Sequence, residues 1–415
     1  MIFKKLLSVL LSVSLLLGLT ACGEKRGKIE PTDGWYTTWA AASLTAEFEQ
    51  VPRNPMLRDN TCRQQLKVSI GGDKIRLTFS NEYGDRALTM DAVHIAHLTG
   101  AGSPAIDVST DTVVTFDGSA SVTIPAGKTV TSDEISFRFD ALDVLAVTTK
   151  FGSGVPSVPT CHREADCTTW IVEGDHVSDE TFSSMELMSS WYFLSRVDTY
   201  ALAGTETVVC FGDSITDGAC STYNGFNSWP DNLSAIMQSD PNTKNISVVN
   251  TAISGNAVFG GWGDAAKDRF ERDVLSIPGA HHVIIMIGTN DLAYAQYDTS
   301  QEIIDEYKAM IKACHERGIN IYCGTIPPFG GHAERYSELH EKIRTAINEF
   351  IMSPDSGFDG YVDFAGVLCY AEDETRMQAV YDSGDGLHPN AKGYDAMAKA
   401  ANEMLRKVWT TQREK

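Results

Sequence analysis

The chain has 415 residues, 43% of them hydrophobic and 9% aromatic, and a formal net charge of −21. That much apolar material builds cores rather than a disordered chain, and the length accommodates two domains. So acidic a protein repels phosphate backbones, which argues against a nucleic-acid partner and leaves the substrate open.

The chain opens with Lys4 and Lys5, an almost wholly apolar stretch from Leu6 to Leu17, and then Leu19, Thr20, Ala21 and Cys22. A basic start, a short apolar stretch and small residues before a cleavage point describe a secretory signal peptide over residues 1–21. The stretch is too short to cross a bilayer comfortably. The Leu-Thr-Ala-Cys run resembles the lipobox of bacterial lipoproteins. That resemblance implies a lipid on Cys22, membrane attachment through it, and an extracytoplasmic location at the cell surface or in the periplasm. An ordinary signal peptide with an incidental cysteine is the plainer alternative. Residues 22–33 are polar and read as a tether.

Eight cysteines remain: Cys62, Cys161, Cys167, Cys210, Cys220, Cys314, Cys323 and Cys369. Export permits disulfides, and Cys161 and Cys167 are near enough in sequence to close a small loop. Free buried thiols are the alternative for most of them. No Cys-x-x-Cys pair or structural-zinc spacing occurs, so no metal site is expected.

Residues 34–200 read as an all-β, sandwich-like accessory domain. Leu66, Val68 and Ile70 alternate with polar residues, Gly71-Gly72-Asp73 makes a turn, and Ile75, Leu77 and Phe79 alternate again. Period and turn chemistry together predict a hairpin. Thr112–Phe116, Ser121–Ile124, Ile135–Phe139 and Val144–Thr149 continue as short strands, with His94 and His97 as strand and strand-end residues. No catalytic constellation is visible in this region.

After Gly204 the rhythm changes, and residues 201–415 read as α/β. Thr207–Phe211, Ile246–Ile253, His282–Ile287, Ile319–Thr325 and Tyr361–Phe364 are strand candidates. Between them, Trp229, Leu233, Ile236 and Met237 have helical spacing. Ile303, Ile304, Tyr307, Met310, Ile311 and Cys314 mark another helix face, which Gly318 stops. Tyr394, Met397, Ala398, Ala401, Leu405 and Val408 mark a last one. Strands alternating with amphipathic helices predict a parallel sheet with helices on both faces, and ligands in such sheets bind beyond the carboxyl ends of the strands.

Polar clusters stand at those ends: Gly212-Asp213-Ser214-Ile215-Thr216, Ser254-Gly255-Asn256, Gly288-Thr289-Asn290-Asp291 and Asp385-Gly386-Leu387-His388-Pro389-Asn390. A serine hydroxyl needs a base to take its proton, and histidine is the natural base once a carboxylate fixes its tautomer. Asp385 lies three residues before His388, so one loop can present both. Attack on an ester creates an oxyanion, and the backbone N–H groups of Ser214 and Gly255 with the Asn290 amide can supply three donors. Singly these residues read as a turn serine, a loop glycine, a helix N-cap and helix-capping polar groups. Their joint order selects the catalytic reading. Asp213, Asp217 and Asp291 read as acids that brace loops.

The four clusters, in this order, resemble the motif blocks of SGNH (GDSL-type) hydrolases over roughly residues 207–408. The resemblance implies a flavodoxin-like three-layer α/β/α hydrolase domain. It implies Ser214 as nucleophile and first oxyanion donor, Gly255 and Asn290 as the other donors, and His388 as base with Asp385 as its orienter. Asn227–Asp231, Arg269–Leu275, Pro327–Gly331 and Tyr381–Asp385 resemble a bacterial subgroup associated with xylan-degrading systems, as does the β region around Arg63-Gln64 and Leu77–Asn81. That implies a serine esterase releasing short acyl, chiefly acetyl, groups from plant polysaccharide through an acyl-Ser214 intermediate, with no cofactor. The rivals are a lipase or thioesterase and a glycan-binding surface lipoprotein with weak catalysis.

Overall fold

The computed structural model describes residues 26–413. The signal peptide and Cys22 lie outside the described residues. Among the described residues, no helix is long and apolar enough to cross a membrane.

Between Gly34 and Ala201 the strands are antiparallel, and most fall into two large sheets. One carries Gly34–Ala40, Leu194–Ala201 and Gly72–Ser80; the other carries Thr61–Lys67, Val144–Phe151 and Leu88–His97. Alternate residues point inward, as the two-residue period of a strand requires. Ile75, Leu77 and Phe79 of one sheet thus share a core with Leu66, Val93, Ile95, Leu145 and Val147 of the other. His94 lies within the strand Leu88–His97, and His97 ends it.

The hairpin expected across Gly71–Asp73 does not form. Thr61–Lys67 pairs with Val144–Phe151 and Thr169–Val172, whereas Gly72–Ser80 pairs with Leu194–Ala201. The chain crosses from one sheet to the facing one at this turn. Alternation shows which side chains face the core, and it is the same for a strand that doubles back and one that crosses over.

The parallel sheet begins with β1 (Glu206–Gly212), followed by β2 (Ile246–Asn250), β3 (Ala280–Met286), β4 (Asn320–Gly324) and β5 (Gly360–Val362). Its order is β2-β1-β3-β4-β5 and every pairing is parallel. Both faces are covered, which explains the continuous apolar runs. Val208 and Cys210 of β1 pack with α2 (Trp229–Ser239) and α8 (Ala391–Arg413). Val209 and Phe211 point the other way, toward α5 (Ser300–Glu316) and α6 (Glu338–Met352). Gly318, at φ +78, follows the last turn of α5 as expected of a helix stop.

The two regions meet in a polar, buried seam. The Ser247 hydroxyl donates to the Thr37 carbonyl (2.6 Å), and the Val248 N–H donates to the Ser69 hydroxyl (2.7 Å). Nor does the described part of the segment read as a tether run free. Arg26 pairs with Asp359 (2.8 Å), the Gly27 N–H donates to the His315 carbonyl (2.8 Å), and Ile29 packs on the core beside α5. Its polar composition showed exposure but not these docking partners. The eight cysteines of the described residues are free thiols, Cys161 and Cys167 among the buried ones.

Candidate active site

β1 ends at Gly212 and the chain turns at once into α1 (Ser214–Asp217). Asp213 caps this short helix by accepting from the Ile215 N–H at 3.1 Å. Burial pushes the Asp213 carboxyl up to about 6. Ser214 is the first helical residue, so its N–H belongs to the set that finds no carbonyl within the helix. The Ser214 hydroxyl is therefore presented at the carboxyl end of β1 with a backbone donor beside it.

Ser214 Oγ lies 2.8 Å from His388 Nε2, and His388 Nδ1 lies 2.6 Å from Asp385 Oδ2. The other Asp385 oxygen accepts from the backbone N–H groups of Leu387 and His388, both at 2.8 Å. Partial burial works against the Asp385 anion. The His388 ring and those two amides outweigh it and hold the carboxyl well below the usual carboxylate range. A carboxylate so placed takes the Nδ1 proton in a hydrogen bond, which leaves Nε2 as the acceptor for the serine proton. The loop is cross-tied: Asp382 Oδ1 accepts from Gly384 and Gly386, and the Asn390 side chain donates to the Asp382 carbonyl. One expected result follows. Asp385→Asn retains the shape of the loop but loses the tautomer control, and kcat falls by about four decades. A wild-type-like kcat for Asp385→Asn refutes this.

Gly255 has φ +75, and a Cβ added there would lie 2.8 Å from the Trp262 ring. The position thus requires glycine on two counts. Asn290 lies in α4 (Thr289–Ala293), whose N-cap is Gly288, so the capping role is not the one Asn290 plays. Its Nδ2 donates to the Asn256 carbonyl at 2.9 Å, which fixes the amide and leaves its second N–H for another acceptor. Asp291 accepts from the Val258 and Phe259 amides at 2.7 and 3.1 Å and braces the same loop. The four clusters thus stand together at one edge of the sheet. Cys220 adds a thiol beside the pair: ligand-type atoms of Cys220, Asp385 and His388 lie within 4.8 Å of one another.

Residues 210–396 match the model of the GDSL-like Lipase/Acylhydrolase family. They form a GDSL-like lipase/acylhydrolase domain. A multidomain esterase of Ruminococcus flavefaciens is 25% identical over 126 residues, which cover 28% of this chain and 14% of that protein. Among solved structures, a member of the lipolytic protein G-D-S-L family from Veillonella parvula is 24% identical, with a TM-score of 0.37, over 48% of this chain and 97% of that one. An acetylxylan esterase from Geobacillus stearothermophilus is 22% identical, with a TM-score of 0.37, over 49% and 94%.

Two residues tied to the GDSL-like domain's site carried no role in the sequence reading. Arg269 is fully buried and donates to Asn256 Oδ1 (2.9 Å), the Thr251 carbonyl (2.7 Å), the Gly212 carbonyl (3.0 Å) and Asp273 (3.0 Å). It fastens the end of β1 to the loop that carries Gly255. Its sequence signals are the four-residue spacing to Asp273 on a helical stretch and its place in the Arg269–Leu275 run, and neither gave it a role. His162 lies in the antiparallel region, and nothing in its neighbourhood in sequence marks it.

Proposed function

We propose that the protein is a serine esterase that releases short acyl groups, chiefly acetyl, from plant cell-wall polysaccharide such as acetylated xylan. The observation that carries the chemistry is the unbroken hydrogen-bond chain Ser214–His388–Asp385. Ser214 Oγ attacks the ester carbonyl while His388 Nε2 takes its proton. The oxyanion meets the N–H groups of Ser214, Gly255 and Asn290. His388 then protonates the leaving sugar hydroxyl, and water, activated by the same ring, cleaves acyl-Ser214. The geometry needs no metal or organic cofactor for any of these steps. The Ruminococcus flavefaciens relative, described as an esterase, supports the same reaction class.

The substrate class rests on the motif resemblance and on exposed aromatic residues beside the site. Phe259 and Trp262 stand on the loop of Gly255, and Tyr294 lies one helical turn beyond Asn290; all three are exposed. Large exposed rings beside a polar site mark a binding surface, and the C–H faces of sugar rings fit them. The N-terminal resemblance supports a lipid on Cys22. Arg26, four residues later, docks by Asp359 and Asn320, at the end of the sheet opposite Ser214.

The test compares p-nitrophenyl acetate, butyrate and decanoate and measures acetate released from acetylated xylan. Acetate should exceed decanoate in kcat/KM by at least about tenfold, the scale on which a small pocket excludes methylenes, and xylan should release acetate. A preference for decanoate overturns the short-acyl reading; inert xylan overturns the polysaccharide.

A further inference from the structure

The seam between the antiparallel region and the parallel sheet passes directly behind the site. Asp217 closes α1, one turn after Ser214. Its nearly buried carboxylate is engaged at both oxygens. Oδ2 accepts from the Ser254 N–H and the Ser254 hydroxyl, each at 2.8 Å, while Oδ1 lies 3.0 Å from His162 Nε2. His162 reaches across the seam from the strand Thr160–His162 and is itself 4% exposed. Its Nδ1 lies 3.0 Å from the Ala42 carbonyl. A carboxylate and a carbonyl only accept, so both ring nitrogens carry protons and the ring is cationic when both bonds are made. Burial opposes that charge; the Asp217 carboxylate, both hydrogen bonds and Glu164 outweigh it and push the ring up to about 8.

We propose that His162 is a positioning residue of the esterase site: an imidazolium of the antiparallel region that, through Asp217 and Ser254, sets the place of the Gly255 N–H. The idea rests on the esterase reading above. Ser254 immediately precedes Gly255, and both of its polar groups end on one Asp217 oxygen. The same loop is held from the antiparallel side at further points. Ala42 and Leu44 pack on Ile253, and the Arg163 guanidinium lies 5.2 Å from the centre of the Trp262 ring that abuts Gly255. On this account the antiparallel region is part of the catalytic framework rather than an appended module. An oxyanion donor acts only where the charge develops, and a displacement of about 1 Å can cost about two decades in rate. The oxyanion exists in the transition state and not in bound ester, so the loss falls on kcat and spares KM.

The experiment measures kcat and KM of the full chain on p-nitrophenyl acetate for wild type, His162→Leu, His162→Gln and Ser254→Ala, with thermal melts as folding controls. His162→Leu should lose about two decades of kcat with KM within about threefold of wild type. His162→Gln restores an N–H toward Asp217 and should recover at least about tenfold of that loss. A folded His162→Leu with wild-type kcat, or a loss that falls on KM, overturns the proposal. Where His162→Leu does not fold, Ser254→Ala decides, because it deletes only one hydroxyl. It should lower kcat about tenfold at unchanged KM, and wild-type kcat overturns the proposal. A wild type silent on every ester is the distinct outcome in which the esterase reading itself fails.

Discussion

Ser214→Ala lowers kcat on p-nitrophenyl acetate by about four to six decades and leaves the melting temperature within about 2 °C of wild type. The size follows from the geometry. The Ser214 hydroxyl is the group whose proton His388 is placed to accept, at 2.8 Å. Without it there is no acyl-enzyme, and water must attack the ester directly with help from the remaining donors. Stability is spared because the side chain is half-exposed and holds no buried partner that the change would strand. Substitutions of that kind sit within about 0.5 kcal/mol. His388→Ala should cost a similar factor, and the double variant little more than either single one, because nucleophile and base act as a unit. Kinetics of the three variants on matched protein check the claim. Additive losses, or a Ser214→Ala enzyme at wild-type rate, refute it.

The second large effect is on stability. Arg269→Leu should lower the melting temperature by about 6–20 °C, the result of about 3–5 kcal/mol spread over a fold of this size. Its guanidinium is fully buried and carries four acceptors at 2.7–3.0 Å, two of them carbonyls on either side of the site. Leucine fills part of the volume but leaves the Thr251 carbonyl and the Asn256 oxygen without a donor, while the Gly212 carbonyl keeps only the Ile253 N–H; each buried orphan costs about 1–3 kcal/mol. Asp273 loses less, because Arg272 still pairs with both of its oxygens. Activity should fall as well, since Gly212 precedes the Asp213 cap and Asn256 follows Gly255. Arg269→Lys replaces a planar five-donor fork with a point charge and should recover only part of the loss. A melt of Arg269→Leu within about 2 °C of wild type shows instead that the site tolerates the cut.

The legible part of the molecule is the part whose logic is local in sequence. Each strand of the parallel sheet is an apolar run, and the polar cluster that follows it lands at the carboxyl edge because the chain has nowhere else to turn. Asp385 and His388 are three residues apart, and the loop that joins them is short enough for the pairing to be read directly. The failures are non-local. The alternation around Gly71–Asp73 gave the buried face of each strand but could not say that Gly72–Ser80 pairs with Leu194–Ala201. His162 meets Asp217 across 55 residues and a change of fold type. Arg269 looks like a surface-helix charge until its four acceptors, drawn from the end of β1, the loop after β2 and its own helical stretch, are assembled around it. The described residues of the tether, from Arg26 on, are polar because they lie on the surface, and polarity is equally compatible with docking on α5.

The most direct test of the central claim is to catch the acyl-enzyme. The full chain is mixed with p-nitrophenyl acetate, quenched in acid during turnover, digested and mapped by mass spectrometry. The account predicts one acetyl group on the peptide that contains Ser214, absent from Ser214→Ala. Steady turnover with no acetyl on that peptide, or an acetyl group that persists on it in Ser214→Ala, contradicts the assignment of Ser214 as the nucleophile.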